Sequence, residues 1–454
     1  MGRAISRSRT SRRAFWGQLG HGLAGASLAL GAGGVSWGWS TPTSRPKVAA
    51  VLTEFTYRSH AHVILENFLN PYLFNGKKTD SQVEVVAIYI DQFPAKDIGR
   101  EVARQAKIPI YPTIAEALCG GGKKLAVDAV LAIGEYGNYP VNAKGQREYP
   151  RKRFFDEIVA VFNDSARAVP VFNDKHLSYR WDWALEMVET ARRLRFPLMA
   201  GSSVPLAQRR PALDLAAGAD LRNAVSIHGG PVESYDFHGL EVLQSMVEAR
   251  RGGETGVKEV QFLSGDALWD AAENGDWSLE LANAAMSAEL GPETPPVREL
   301  LAQRFPKSSS HGILIEYVDG LKGIVLKVGD GSTRWNFATR VEGENTPKAT
   351  SFYVGPWNNR NLFKALSHAI QSMILTGHVP YPVERTLLTT GILDAAMDSR
   401  LAKGKPVATP HLRIAYAPVD YRSMREMGAT WDIITKDVPE PPGLDPYGRN
   451  PPPG

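Results

Sequence analysis

Short apolar runs alternate with amphipathic stretches through the first half of the chain. Residues 48–52 (Val-Ala-Ala-Val-Leu) and 83–90, the latter ending at Asp91, read as strands buried on both faces of a parallel sheet. Between them, residues 62–73 carry Val63, Leu65, Phe68 and Leu69 at spacings that face a sheet from a helix. The rhythm then predicts helix 98–106, strand 108–111, helix 114–118, strand 127–133, helix 153–162, strand 169–172, helix 181–194 and strand 197–200. Strands alternating with helices predict an α/β fold, a Rossmann-like doubly wound parallel sheet over 44–205.

Past Pro205 the spacing lengthens. Strands are predicted at 223–228, 257–262, 312–317, 323–328 and 351–354, a helix over 240–250, and two late helices at 361–375 and 382–400. This describes an α+β unit over 206–425, a large and mostly antiparallel sheet with helices on one face. The open face of that sheet predicts a homo-oligomer. Prolines at 439, 441, 442, 446 and 451–453 predict an extended tail over 426–454.

The ends and the charge refine this picture. Arg3, Arg7, Arg9, Arg12 and Arg13 occur in the first fifteen residues without one acidic side chain, and a glycine-diluted apolar stretch from Gly17 to Trp39 follows. The first 43 residues thus read as an export signal. Ser11-Arg12-Arg13-Ala14-Phe15-Trp16 resembles the twin-arginine motif, which implies the twin-arginine export machinery as partner and a periplasmic or secreted location. No small-x-small cleavage site stands out between Gly34 and Pro46, so uncleaved retention at the membrane stays open. The 52 basic and 48 acidic residues leave a mature chain close to neutral, which argues against a nucleic-acid partner. With Cys119 alone, intramolecular disulfides and cysteine-based metal sites are excluded.

Three segments carry candidate chemistry. They are Val127-Asp128-Ala129-Val130-Leu131-Ala132-Ile133, Val171-Phe172-Asn173-Asp174-Lys175-His176-Leu177 and Asp236-Phe237-His238-Gly239-Leu240-Glu241. In this order they are similar to the strand before the nicotinamide, the Glu-Lys-Pro segment and the histidine segment of the family that contains glucose-fructose oxidoreductase, inositol dehydrogenase and the rhizopine-catabolism dehydrogenases. The resemblance implies an oxidoreductase moving a hydride between NAD or NADP and a carbohydrate-like small molecule. Lys175 and His238 would be its catalytic pair and Asp174 a cofactor contact. An imidazole, or a desolvated lysine, suits proton transfer near neutrality.

The first turn departs from the family. A dinucleotide fold places glycines there, whereas this chain has Thr53-Glu54-Phe55-Thr56-Tyr57-Arg58-Ser59-His60-Ala61-His62. Thr53, Arg58 and Ser59 are the candidate replacements for those contacts. Asp91 stands where an acid binds a ribose hydroxyl, and Gly134, Glu135 and Asn138 lie in a loop at the carboxyl edge of the sheet. A cofactor-free carbohydrate binder on the same fold remains the alternative. Metal-assisted hydrolysis, drawing on His60, His62, His176, His228 or His238 with Glu54 or Asp91, is a second alternative, but no ligand set has diagnostic spacing and no metal is assigned.

Overall fold

A computed structural model describes residues 44–305, 309–442 and 444. The twin-arginine segment and the last residues of the proline-rich tail lie outside them. In chain order the first part comprises β1 (Lys47–Leu52), α1 (His60–Leu69), β2 (Tyr72–Phe74), β3 (Lys77–Thr79), β4 (Glu84–Ile90), α2 (Gly99–Ala106), β5 (Ile110–Tyr111), α3 (Ile114–Cys119), β6 (Ala129–Ile133), α4 (Arg151–Ser165), β7 (Val171–Asp174), α5 (Trp181–Leu194) and β8 (Leu198–Gly201). Its strands form one parallel sheet in the order β5-β4-β1-β6-β7-β8. This is the doubly wound arrangement expected from the sequence, and it reverses direction between β1 and β6, where such sheets bind ligands.

A short 3-10 turn, Val204–Leu206, leads to β9 (Gln208–Arg210), β10 (Leu221–His228), α6 (Ser234–Val247), β11 (Val257–Ser264), α7 (Asp266–Glu273), α8 (Leu279–Leu290), α9 (Val297–Arg304), β12 (His311–Tyr317), β13 (Lys322–Lys327), β14 (Trp335–Val341), β15 (Lys348–Tyr353), α10 (Asn359–Thr376), α11 (Val383–Leu401) and β16 (Val407–Ala408). The second sheet has eight strands in the order β16-β11-β12-β13-β10-β14-β15-β9 and is antiparallel except for the β10–β13 pair. Among the described residues no helix is long and apolar enough to cross a membrane.

Three expectations are corrected. The second sheet is covered on both faces. Helix α6 packs Phe237, Leu240 and Leu243 under one face, while Leu281, Ala282, Ala285 and Met286 of α8 pack against Val225, Ile227, Ile324, Leu326 and Ala338 on the other. The alanines let α8 approach closely, so the face expected to be open is covered over β10, β13 and β14. Next, α10 joins the first sheet rather than the second. Its Phe363, Leu366, Ile370 and Met373 share a core with Val63, Ile64 and Phe68 of α1, and Asn67 Nδ2 donates to Ser367 Oγ across 3.1 Å. Finally, part of the tail expected to be extended is folded. Residues Ala429–Asp432 form a 3-10 turn in which Thr430 is fully buried, and the Thr430 hydroxyl donates to Glu426 Oε2 over 2.5 Å.

Candidate functional site

The site lies at the carboxyl ends of the first sheet, where α6, β14 and α10 close over them. Strand β7 ends in Asp174, Lys175 follows it, and both are buried. Lys175 takes a left-handed φ of 65°, and its N–H continues the ladder to the Gly201 carbonyl at 3.1 Å. That turn sends the ammonium inward, where Nζ donates to Glu135 Oε1 at 2.9 Å. The other oxygen of Glu135 accepts from the fully buried Arg151 guanidinium, carried by the first residue of α4. Burial alone would raise the Glu135 pKa, but the two cations outweigh it and hold the carboxyl well below its ordinary range.

Two further residues extend this buried network. His176 Nδ1 donates to the Ser178 carbonyl at 2.8 Å, so its Nε2 accepts from Arg151 Nη1 at 3.3 Å. Glu233 Oε1 lies 3.4 Å from the same Nε2. That nitrogen has no proton left to give, so Oε1 has no hydrogen-bond donor among the described residues. Asp174 Oδ2 pairs with His60 Nδ1 at 2.6 Å, across the sheet from α1.

His238, in the second turn of α6, forms part of the wall of a cavity of about 330 Å³ together with Arg58, His60, Tyr136, Tyr235 and Trp335. Its ring meets Trp335 edge to face with centroids 5.1 Å apart, and its buried Nδ1 has no hydrogen-bond partner. Burial, reinforced by the Lys175 charge, pushes the imidazole well below its ordinary pKa, so it is neutral near neutrality. Lys175 is not among the residues that line the cavity, but its charge acts on the His238 ring. Arg58, Tyr136, Lys175, Glu233 and Asn358 all have positive φ. Among the described residues these are five of the ten such non-glycine positions, and backbone strain of this kind concentrates where function requires it.

The residues assigned to a dinucleotide separate into two groups. Arg58 reaches the cavity, although its guanidinium also pairs with Glu440. The others are engaged in the protein's own contacts. Thr53 Oγ1 donates to the Glu135 carbonyl at 2.6 Å and joins the ends of β1 and β6. Ser59 caps α1 and is buried. Asp91 accepts from Tyr89 at 2.6 Å, Tyr139 at 2.7 Å and Arg153 at 2.5 Å, which leaves little of the carboxylate for a ribose. A Cβ on Gly134 would stand 2.8 Å from Arg151 Cγ, so this glycine makes room for the arginine. The Asn138 N–H donates to Gln92 Oε1 at 2.8 Å, and its carbonyl accepts from Gln92 Nε2 at 3.1 Å. Glu135 and Asp174 are the partners of Lys175 and His60.

The histidines weighed as metal ligands also disperse. His62 Nδ1 accepts from the Arg58 N–H at 2.8 Å, and His176 and His60 are engaged as described. A different trio comes together, His228, Asp236 and His311, all buried. Both imidazoles meet Asp236 Oδ1 through Nε2, at 2.9 Å and 2.7 Å. His228 Nδ1 accepts from the Gly230 N–H at 3.3 Å, so its proton sits on Nε2 and points at the carboxylate. A ligating histidine normally donates from its second nitrogen. We therefore read the trio as a hydrogen-bonded clasp between α6, β10 and β12.

Glu241, one turn beyond His238, provides a pH probe of the same region. Its Oε2 accepts from the Ser202 N–H at 2.6 Å, and burial raises its pKa from 4.5 to about 7. The folded chain thus holds a proton that the unfolded chain has released between those values. Stability should fall as pH rises from about 4.5 to 7, by on the order of 3 kcal/mol from this group, and then level off. Glu241→Gln should remove that slope in melting curves recorded from pH 5 to 8. An unchanged slope would place the titrating group elsewhere.

The chain was compared with known proteins at the levels of family, sequence and structure. No family model matches it, and no curated protein does. Among solved structures it is similar to apo scyllo-inositol dehydrogenase from Lactobacillus casei (10% identity, 80% of this chain and 98% of that one, TM-score 0.47). It is also similar to an oxidoreductase from Agrobacterium radiobacter in complex with NAD+, L-tartaric acid and magnesium (13%, 80% and 98%, TM-score 0.47). A third likeness is to GenD2 from gentamicin A biosynthesis in complex with NAD, at 13% identity over 80% of this chain and 96% of that one, with a TM-score of 0.51. That last likeness shows the fold: the chain is built as this NAD-bound protein is.

Proposed function

We propose that the protein is an oxidoreductase that exchanges a hydride between a nicotinamide dinucleotide and a hydroxyl-bearing carbon of a sugar, polyol or related compound. The observation that carries this reading is the neutral, buried His238 imidazole in the wall of a cavity at the carboxyl edge of the first sheet, within the field of the ion-paired Lys175. Fold-level likeness to an NAD-bound protein adds support.

The residues fit the reacting half of the cofactor. His60 and Tyr136 border the cavity where a nicotinamide would lie, Ser203 Oγ there is buried without a partner, and Arg58 would face the diphosphate. When bound, the dinucleotide supplies the hydride acceptor. His238 is neutral and can take the hydroxyl proton. Lys175, fixed by Glu135, places positive charge beside the oxygen as it becomes a carbonyl. Tyr235 and Trp335, stacked at 5.2 Å, give that side of the cavity an apolar face and exclude water.

The test is chemical. Acid release from purified protein should yield a nicotinamide dinucleotide, or millimolar NAD or NADP should raise the melting temperature, since a ligand of the native state must stabilise it. An empty chain with no thermal shift would count against the reading. It would favour the same cavity binding a carbohydrate without redox chemistry, the reading to which the engagement of Asp91 and Thr53 points.

We extend the proposal to export by the twin-arginine route, on the strength of Arg12 and Arg13 in an acid-free leader. Replacing both by lysine keeps the charge and removes the paired-arginine signal. The precursor should then accumulate in the cytoplasm, and undiminished export of the double variant would reduce the pair to generic basic charge.

A further inference from the structure

A larger cavity, of about 610 Å³, lies between the C-terminal half of α1, the β2–β3 hairpin, the start of α10 and residues 433–441. It is independent of the site above and of the function proposed for it. Tyr72, Leu73, Trp357 and Ile434 give it apolar walls, the buried Arg360, Lys364 and Glu66 bring charge into it, and the exposed Lys78 stands at its edge. Its size is that of a small-molecule pocket, about 300–1,000 Å³.

The two cations differ in what they have left to offer. Arg360 is largely engaged: Nε and Nη2 donate to Glu66, with the shortest contact 2.7 Å, and Nη1 donates to Glu440 at 2.9 Å and to the Pro441 carbonyl at 2.5 Å, which uses four of its five N–H groups. Lys364 is 8% exposed and gives one hydrogen bond, to Asn361 Oδ1 at 3.0 Å, with its Nζ 4.7 Å from the centre of the Trp357 ring. Among the described residues no carboxylate oxygen stands within ion-pairing distance of this ammonium. A buried charge without a counter-charge is costly. Consistent with that, burial, aided by Arg360 and against the pull of Glu66, lowers the Lys364 pKa to about 8.

We propose that this cavity binds an aliphatic carboxylate, with the carboxylate on the Lys364 ammonium and the hydrocarbon chain along Tyr72, Leu73, Trp357 and Ile434. One buried cation without a carboxylate partner matches a monoanion, since Lys78, the other lysine of the lining, is exposed. A phosphate wants several donors, and the neighbouring guanidinium has four of its five N–H groups engaged. A neutral alcohol would leave the ammonium uncompensated, and the hydrocarbon chain gains by leaving water for the apolar walls.

Titration calorimetry of the full chain with decanoate tests this, with decanol and inorganic phosphate as controls. Decanoate should bind one per chain and more tightly than either control. Its affinity should fall as pH rises past about 8, because the amine loses the proton the carboxylate needs. Lys364→Met should weaken decanoate at least about tenfold, the scale of one charge-assisted hydrogen bond, and Lys364→Arg should retain most of the affinity. If Lys364→Met does not fold, Leu73→Trp should weaken decanoate by narrowing the apolar wall while leaving the melting temperature near that of the parent. No binding, or equal binding by Lys364→Met, overturns the proposal. Binding seen only after residues 443–454 are removed also overturns it, since the cavity would then belong to the chain's own end.

Discussion

Replacing Lys175 by methionine, or His238 by alanine, is expected to lower turnover by about 10²- to 10⁴-fold in each case, the usual contribution of a placed acid or base. The assay is nicotinamide reduction, followed by absorbance, on a panel of sugars and polyols. The two losses have different origins. Methionine keeps the length of Lys175 and removes the positive charge beside the reacting oxygen, while Arg151 remains on Glu135 and keeps that buried carboxylate partnered. Alanine removes the proton acceptor and leaves Trp335 and Tyr235 in place. Dinucleotide binding, read by thermal shift, should survive both changes. Retained turnover in both variants would move the chemistry away from this pair.

Arg385→Met is expected to destabilise the protein by about 3–5 kcal/mol, the range for breaking a buried ion pair by removing one partner. Arg385 is fully buried on α11, and Nε donates to Glu248 Oε2 at 2.9 Å while Nη2 bonds the other oxygen. Its guanidinium lies 4.6 Å from the Tyr381 ring centre and 4.5 Å from that of Tyr421. Without it, Glu248 keeps only the Tyr416 hydroxyl, at 2.9 Å. Urea unfolding at neutral pH measures the loss, and a change below about 1 kcal/mol would mean that the pair contributes no more than a surface salt bridge. Adding Glu248→Gln should recover part of the loss by removing the stranded charge.

Legibility in the sequence followed periodicity. The helix predicted over 181–194 is α5 to the residue, because its apolar positions recur cleanly and Phe196-Pro197 ends it. The helix predicted over 62–73 stops at Leu69 because Asn70-Pro71 breaks it. The hairpin that follows carried a readable signal in Asn75-Gly76, whose φ values of 48° and 74° suit the turn that joins paired strands. The α7–α9 segment escaped because α8 is rich in alanine, whose small side chains mark a buried face weakly.

The site was legible residue by residue and opaque in its partners. Lys175 and His238 stood out through their segments; His238 lines the cavity, and Lys175 is buried in the ion-paired network with Glu135. Nothing near Arg151 in sequence distinguishes it from a solvated arginine at a helix start, and Trp335 and His60 join the site through long-range packing. The partners of Asp91 and Thr53 were opaque for a related reason: Tyr139 and the Glu135 carbonyl, which engage them, come from a loop whose path periodicity does not encode.

The pairing of α1 with α10 fixes an order of events during synthesis. Asn67 and Ser367, hydrogen-bonded to each other, are 300 residues apart. A nascent chain therefore completes β1 and β4 long before the ribosome delivers the helix that covers α1. Until then Val63, Ile64 and Phe68 stay uncovered on the emerging first sheet, the kind of surface chaperones hold. Closing so long a loop also slows the final step. The native first sheet, and with it the cavity that Phe363 helps to wall, is thus a late product of folding, reached after the last helices have left the ribosome.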